Sequence, residues 1–173
     1  MSAHAATPQQ RLNGLAPVVA THTRLLVLGS FPSQASLAAG QYYAHPRNQF
    51  WMILSALWGT DLKAVSYAAR LAEVRRRGLG IWDVYASCQR EGSLDSAIEG
   101  AVPNDLAALV ASLPALRAIA HNGGESARTM ALTRTLAGEV VRLPSSSPAN
   151  ASWSLARKVD AWRAVFSRHG LCR

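Results

Sequence analysis

Short apolar runs alternate along this chain with longer stretches of helical spacing. Leu25–Leu28 is a continuous apolar run between Arg24 and Gly29, the pattern of a strand buried on both faces. From about Asn48 to Trp58 the apolar residues Phe50, Trp51, Leu54 and Leu57 recur at helical spacing, and Gly59 marks the end. A second helix is expected from about Leu62 to Arg77, stopping at Gly78, and Leu79–Val84, which holds Asp83, reads as the next strand. Tyr85–Gly100 has no period and reads as a long loop, a feature often functional in compact domains. Pro103 opens a helix through Ser112, and Leu116–Ala120 is a third strand. His121-Asn122-Gly123-Gly124 then turns into a helix of roughly a dozen residues. After a fourth strand, Val140–Leu143, the helix from about Trp153 to Arg168 puts Leu155, Val159, Trp162 and Phe166 on one face and Arg157, Lys158, Arg163 and Arg168 mostly elsewhere.

This alternation predicts an α/β fold with right-handed crossovers and a four-stranded parallel sheet covered on both faces. All strand carboxyl ends then share one rim, where open α/β sheets bind ligands. Gly29-Ser30-Phe31-Pro32-Ser33, Asp83, His121–Gly124 and Pro144–Asn150 each end or follow a different strand, so they converge there.

The 173 residues suit one domain, expected over 15–173 behind a flexible tail at 1–14. No apolar run approaches a membrane span, and Met1–Asn13 lacks the apolar core of a secretory signal, so a cytoplasmic protein is expected. Cys88 and Cys172 form no disulfide framework, and the scattered histidines have no zinc-ligand spacing, so neither metal nor cofactor is expected. The formal charge of +8 favours polyanions. The basic residues are mostly arginine, and Arg75-Arg76-Arg77 fits a solvated helix end.

The chemistry-bearing residues each admit two readings. Gly29–Ser33 is neither a P-loop nor a dinucleotide fingerprint, although its backbone N–H groups can cup an oxygen. Tyr42 and Tyr43 cannot both face one core, so one is available to stack on a planar ligand. Asn48 stands at a helix start, where it either caps the helix or aims a water at a reacting carbon. Asp83 either receives backbone N–H donors or waits for a ligand's donor. Asn122 either caps the following helix or contributes to an anion site at that helix start. Ser145-Ser146-Ser147 offer hydroxyls and amides to phosphates, or form a solvated loop.

Four blocks together resemble the hypoxanthine-DNA (deoxyinosine) glycosylase family of the uracil-DNA glycosylase superfamily. They are Gly29-Ser-Phe-Pro-Ser33, Tyr42-Tyr-Ala-His-Pro-Arg-Asn-Gln-Phe-Trp51, Ile81-Trp-Asp-Val-Tyr85 with Cys88-Gln-Arg-Glu-Gly-Ser-Leu-Asp-Ser-Ala-Ile98, and Leu143-Pro-Ser-Ser-Ser-Pro-Ala-Asn150. The resemblance spans about Leu25 to Phe166. It implies a three-layer α/β/α sandwich and cofactor-free excision of a deaminated base from DNA by a monomer associated with the nucleoid. Asn48 is implied as the catalytic residue, with Ser30, Phe31, Tyr43, Asp83 and Asn122 around the flipped base: Tyr43 stacks on it and Asp83 reads its edge. Pro144–Asn150 is implied as the loop that presses on the phosphates and enters the duplex, with Ser145, Ser146, Ser147, Asn150 and Arg157 meeting DNA. Many relatives carry Asp or Asn where this chain has Phe31, and the most active uracil enzymes carry a histidine missing from Pro144–Asn150. Both departures fit the hypoxanthine branch. The alternatives are a uracil- or mismatch-specific glycosylase and an inactive nucleic-acid-binding relative.

Overall fold

A computed structural model describes residues 9–173. In chain order its elements are β1 (Arg11–Asn13), β2 (Leu25–Gly29), α1 (Gln34–Ala39), α2 (Phe50–Trp58), α3 (Tyr67–Arg76), β3 (Leu79–Asp83), β4 (Tyr85–Gln89) and a 3-10 turn at Asp95–Ala97. There follow β5 (Glu99–Pro103), α4 (Leu106–Ala111), β6 (Ala118–Asn122), α5 (Gly124–Ala127), α6 (Met130–Thr133), β7 (Glu139–Leu143) and α7 (Leu155–Arg168). The main sheet runs β3-β2-β6-β7 with every pair parallel.

The sheet is apolar on both faces because helices cover both. Along β2, Leu25 and Val27 enter one cluster with Phe50, Ile53, Leu54, Trp162 and Phe166, while Leu26 and Leu28 enter a second with Val84, Leu106 and Ile119. This is the period-two alternation of a strand buried twice over, and it produces the three layers implied by the resemblance. The outer edge of β3 is closed by an antiparallel bridge to Val18, with paired backbone bonds of 2.9 Å between Val18 and Ile81. Among the described residues no helix is long and apolar enough to cross a membrane.

The segment expected as one loop at Tyr85–Gly100 instead contributes β4 and the start of β5, which join β1 in a small antiparallel sheet of order β1-β4-β5. Its strands are irregular and β5 is exposed throughout, so no clean alternation is written into them. Residues 11–13, expected in the tail, pair with Ser87–Gln89; the rest of that expectation, through residue 8, lies outside the described residues. Pro103 ends β5 and does not open a helix, as suits a proline on an edge strand, and Asp105 caps α4 by accepting from Ala108 N at 3.0 Å. The second helix starts at Tyr67, later than expected, because the Ser66 hydroxyl takes the cap position. The long helix expected after Gly124 breaks into α5 and α6. There the buried His121 ring bonds Ser126 Oγ at 2.7 Å and Thr133 Oγ1 at 2.8 Å, one partner on each side of the break. Burial lowers that imidazole to about 4, so it stays neutral at physiological pH.

Helix α7 is anchored by Trp162, which is fully buried, lies edge-on to Phe50 and donates its indole N–H to Pro144 O at 3.0 Å. Trp162→Ala is expected to lower unfolding free energy by about 3–5 kcal/mol, the usual range for deleting a buried aromatic, in a denaturant titration followed by circular dichroism.

Candidate active site

The carboxyl ends of the four parallel strands are Gly29, Asp83, Asn122 and Leu143, and all four line one cleft of about 940 Å³. The structure brings Ser30, Phe31, Tyr43, Asn48, Asp83 and Asn122 into its lining together with Ser145, Ser146, Ser147 and Asn150. Arg157 is not among the lining residues; it is exposed, with its guanidinium 4.1 Å from the Trp153 ring centroid, and Trp153 does line the cleft.

The adjacent tyrosines separate as their chemistry requires. Tyr42 is buried, and its hydroxyl donates to Ala16 O at 2.7 Å. Tyr43 turns the other way because its backbone sits at φ 54°, a strained conformation for a residue with a side chain. One face of its ring stacks on Phe50 at 3.9 Å between centroids, and its hydroxyl accepts from Asn122 Nδ2 at 3.2 Å. The result is a fixed aromatic plate in the cleft wall.

Asp83 is 5% exposed, and its Oδ2 is buried with no hydrogen-bond partner among the described residues. Of its two sequence readings, the one with backbone donors is not realised. The carboxylate fits only because its neighbour across the ladder is Gly29, where any Cβ would collide with Asp83 Oδ1. Burial, reinforced by the nearby Asp95 carboxylate and opposed by Arg90, raises Asp83 to about 7. Asp95, exposed on the loop after β4, accepts the Ser30 hydroxyl at 2.5 Å, so the cleft lining carries a second acid that the sequence reading left without a role.

Asn48 stands one residue before the N-cap of α2, which is Gln49 and makes no side-chain cap bond of its own. Asn48 Oδ1 accepts from Phe50 N at 2.9 Å, which orients the amide at the start of α2, and the residue still lines the cleft. Asn122 behaves differently: Nδ2 donates to Tyr43 Oη and to Ser146 Oγ at 2.9 Å, while Oδ1 accepts from Ser146 N at 2.9 Å. Its amide is spent on protein partners. Ser146, expected to meet DNA, is fully buried with its hydroxyl held by Asn122, so its side chain presents nothing to a ligand. Ser145 Oγ accepts from Ser147 N and Ser147 Oγ accepts from Ala149 N, so the remaining loop hydroxyls also stabilise the loop. Gly123, at φ 96°, lets this loop close over β6, since a Cβ there would sit 2.9 Å from Ser145 Cβ.

Two buried cations support the site, and neither was singled out from sequence. Lys158, expected away from the apolar face of α7, is 1% exposed; its ammonium donates to Gln49 Oε1 at 2.8 Å, and burial lowers its pKa. Arg90 is 4% exposed, donates to Pro32 O at 2.5 Å and Gly92 O at 2.9 Å, and lies 5.2 Å from the Phe31 ring centroid. Phe31 is therefore a covered wall of the cleft clamped by a cation.

A family model described as the uracil DNA glycosylase superfamily matches residues 16–166, and the chain belongs to that superfamily. It is similar to a protein named hypoxanthine DNA glycosylase from Methanosarcina barkeri, 36% identical over 155 residues, covering 90% of this chain and 98% of the relative. A protein of the same name from Methanosarcina acetivorans is 38% identical over 156 residues with the same coverage. Among solved structures, an NMR structure described as a candidate uracil DNA glycosylase from Methanosarcina acetivorans superposes with a TM-score of 0.82 at 36% identity, covering 92% of this chain and 98% of that one.

A carboxyl whose pKa is raised by folding binds its proton more tightly in the folded chain. Asp83 thus contributes its stability below about 3.8, and that contribution is lost as pH rises through about 7. Asp83→Asn is therefore expected to leave stability unchanged at low pH and to exceed wild type by up to ~4 kcal/mol above pH 8, read as the gap between two unfolding curves measured across pH 4–9.

Proposed function

We propose that this chain removes hypoxanthine from DNA by hydrolysing its N-glycosidic bond. The observation that carries the reading is the Asp83 carboxylate, buried with an unpartnered oxygen at the floor of a cleft whose wall holds the flat ring of Tyr43. Such a carboxylate is stabilised by a neutral ligand that brings its own N–H. Hypoxanthine offers N1–H there, whereas adenine presents only an acceptor lone pair, which an ionised carboxylate repels. Guanine shares the N1–H but pairs more strongly with cytosine, and extrusion from the duplex is easiest for weakly paired bases. Stacking on Tyr43 is worth about 1–3 kcal/mol and offsets part of the flipping cost.

In the proposed reaction Asn48 is the catalytic residue and holds a water below the sugar. The water oxygen bonds to C1′ as the bond from C1′ to the base nitrogen breaks; the electron pair leaves with the base, and the water proton passes to solvent or the departing base. An amide suffices because the transition state is a loose, cation-like sugar that needs a placed nucleophile more than a strong base. Ser30 and Phe31 shape the base pocket, and Asn122 acts as a positioning residue for Tyr43. Asn150 and the exposed Arg157 are assigned to the phosphates, where contacts position the duplex without reading its sequence. The protein is proposed to act as a monomer on chromosomal DNA in the cytoplasm.

Excision measured on duplexes containing inosine, xanthine or uracil tests this directly. Wild type is expected to form abasic product from inosine, and Asn48→Ala to lose roughly a hundredfold or more in single-turnover rate. Full activity of Asn48→Ala would remove the catalytic assignment, product from uracil alone would favour the uracil-specific alternative, and no product from any lesion would favour an inactive binder. The pH profile supplies a second check. If the ionised Asp83 accepts N1–H, the rate on inosine should fall about tenfold per pH unit below about 7. A rate rising toward acid would show that the protonated acid is the active form.

A further inference from the structure

The family resemblance places the duplex-entering element in Pro144–Asn150, but that loop has little to insert. Ser146 is buried, Ser145 and Ser147 accept backbone N–H groups within the loop, and its exposed residues are Pro148 and Ala149. The opposite wall is different. Leu94 is 60% exposed, the most exposed large apolar residue among those described, and it lines the cleft between Ser93 and Asp95. Met52, Val65, Val102 and Leu132 are the other exposed large apolar residues, and none of them lines the cleft.

Single exposed leucines are ordinary on protein surfaces. This one is held in place on both sides. Ser93 Oγ accepts from Gln34 N at 3.0 Å, Asp95 accepts from Ser30 Oγ at 2.5 Å, and Gly92 O accepts from the buried Arg90. The loop that carries Leu94 is thus fastened at three points, to Ser30 and Gln34 at the two ends of the stretch whose residues Ser30–Ser33 line the cleft, and to the buried Arg90. An apolar side chain held by these bonds in the lining of the cleft has the form of a wedge, and apolar wedges between base steps are how proteins unstack and hold open a duplex.

The geometry points to Leu94 as the residue that enters the base stack and fills the space left by the extruded nucleotide. This rests on the base-flipping reading of the cleft. It divides the labour between two loops: the serine loop carries polar contacts on one side, and the loop after β4 supplies the apolar wedge on the other.

A wedge is needed only where a stacked, paired base must be displaced. Leu94→Ala is therefore expected to lose roughly tenfold or more in excision rate on inosine opposite cytosine, less on inosine in a mispair, and little on inosine in single-stranded DNA. Leu94→Met restores bulk and is expected to recover most of the duplex rate. Because the side chain is exposed, both variants should unfold at the wild-type midpoint. A 2-aminopurine beside the lesion reports extrusion without cleavage: its fluorescence should rise on wild-type binding and rise less with Leu94→Ala. The proposal is overturned if Leu94→Ala matches wild type on the inosine–cytosine duplex and in fluorescence, or if it loses the same factor on single strands. Absence of product from wild type on every lesion would instead count against the glycosylase reading, and the fluorescence comparison still decides the wedge.

Discussion

The cleft depends on one chain of hydrogen bonds that starts at a buried cation. Lys158 donates to the Gln49 side chain, Gln49 N donates to Ser146 O at 2.9 Å, Ser146 exchanges two bonds with Asn122, and Asn122 donates to Tyr43 Oη. The chain passes from α7 through the start of α2 and the serine loop to the end of β6 and the aromatic plate. Gln49 is its junction, since the side chain and the backbone N–H of one residue answer to two different elements. Asn48 precedes Gln49, so the amide assigned to hold water is fixed by a residue committed on both sides. An ammonium left unpaired in the interior would be costly, and this supplies a restoring force: any movement of the loop that breaks the bond to Gln49 exposes that cost.

Around this satisfied frame the site keeps several groups deliberately poor in partners. Asp83 Oδ2 and Arg90 Nη1 are buried without hydrogen bonds among the described residues, and Tyr43 holds a positive φ. Each costs stability, and each is tolerated because sheet and helices bury apolar residues on both faces behind it. Of the three buried side-chain atoms without a partner among the described residues, two gather at the site, and the third, Arg70 Nε, belongs to a guanidinium over the Trp51 ring, outside the cleft lining. Asp83 and Tyr43 face the cleft, and Arg90 underlies Phe31 in its wall. Asn122 marks the contrast, because a fully bonded amide braces the site and has no donor left for a ligand.

The parallel sheet and its ligand-binding rim were legible because the short apolar runs Leu25–Leu28, Leu79–Val84, Leu116–Ala120 and Val140–Leu143 mark the four strands to within two residues at each end. The small sheet was not, because β5 is exposed along its whole length and β4 pairs through register shifts, which erases the period-two signal. Lys158 is instructive in another way. It lies three residues after Leu155 and four before Trp162, squarely within the apolar stripe of α7, so spacing alone assigns it to the core. Sorting by residue type placed it outside. The partner that makes its burial tolerable, Gln49, is 109 residues distant and leaves no local trace. Asp95 belonged to a recognised block, but its bond to Ser30 spans 65 residues and emerges only when the loop after β4 folds back.

The distribution of charge sorts the parts of a nucleic acid. The chain carries a formal charge of +8, and Arg47, Arg142 and Arg157 are exposed, Arg142 in the cleft wall itself. The lining also holds two acids, Asp83 buried at the end of β3 and Asp95 exposed beside Ser30. A phosphate drawn in by the arginines is repelled by the ionised form of Asp83 as it nears that buried carboxyl, where charge is screened weakly. A neutral base with an N–H donor meets the opposite gradient. On the proposed reading, attraction to DNA comes from arginines at the surface, and depth of entry is set by the buried Asp83. On that reading the sugar-phosphate backbone stays at the mouth of the cleft and the base alone enters.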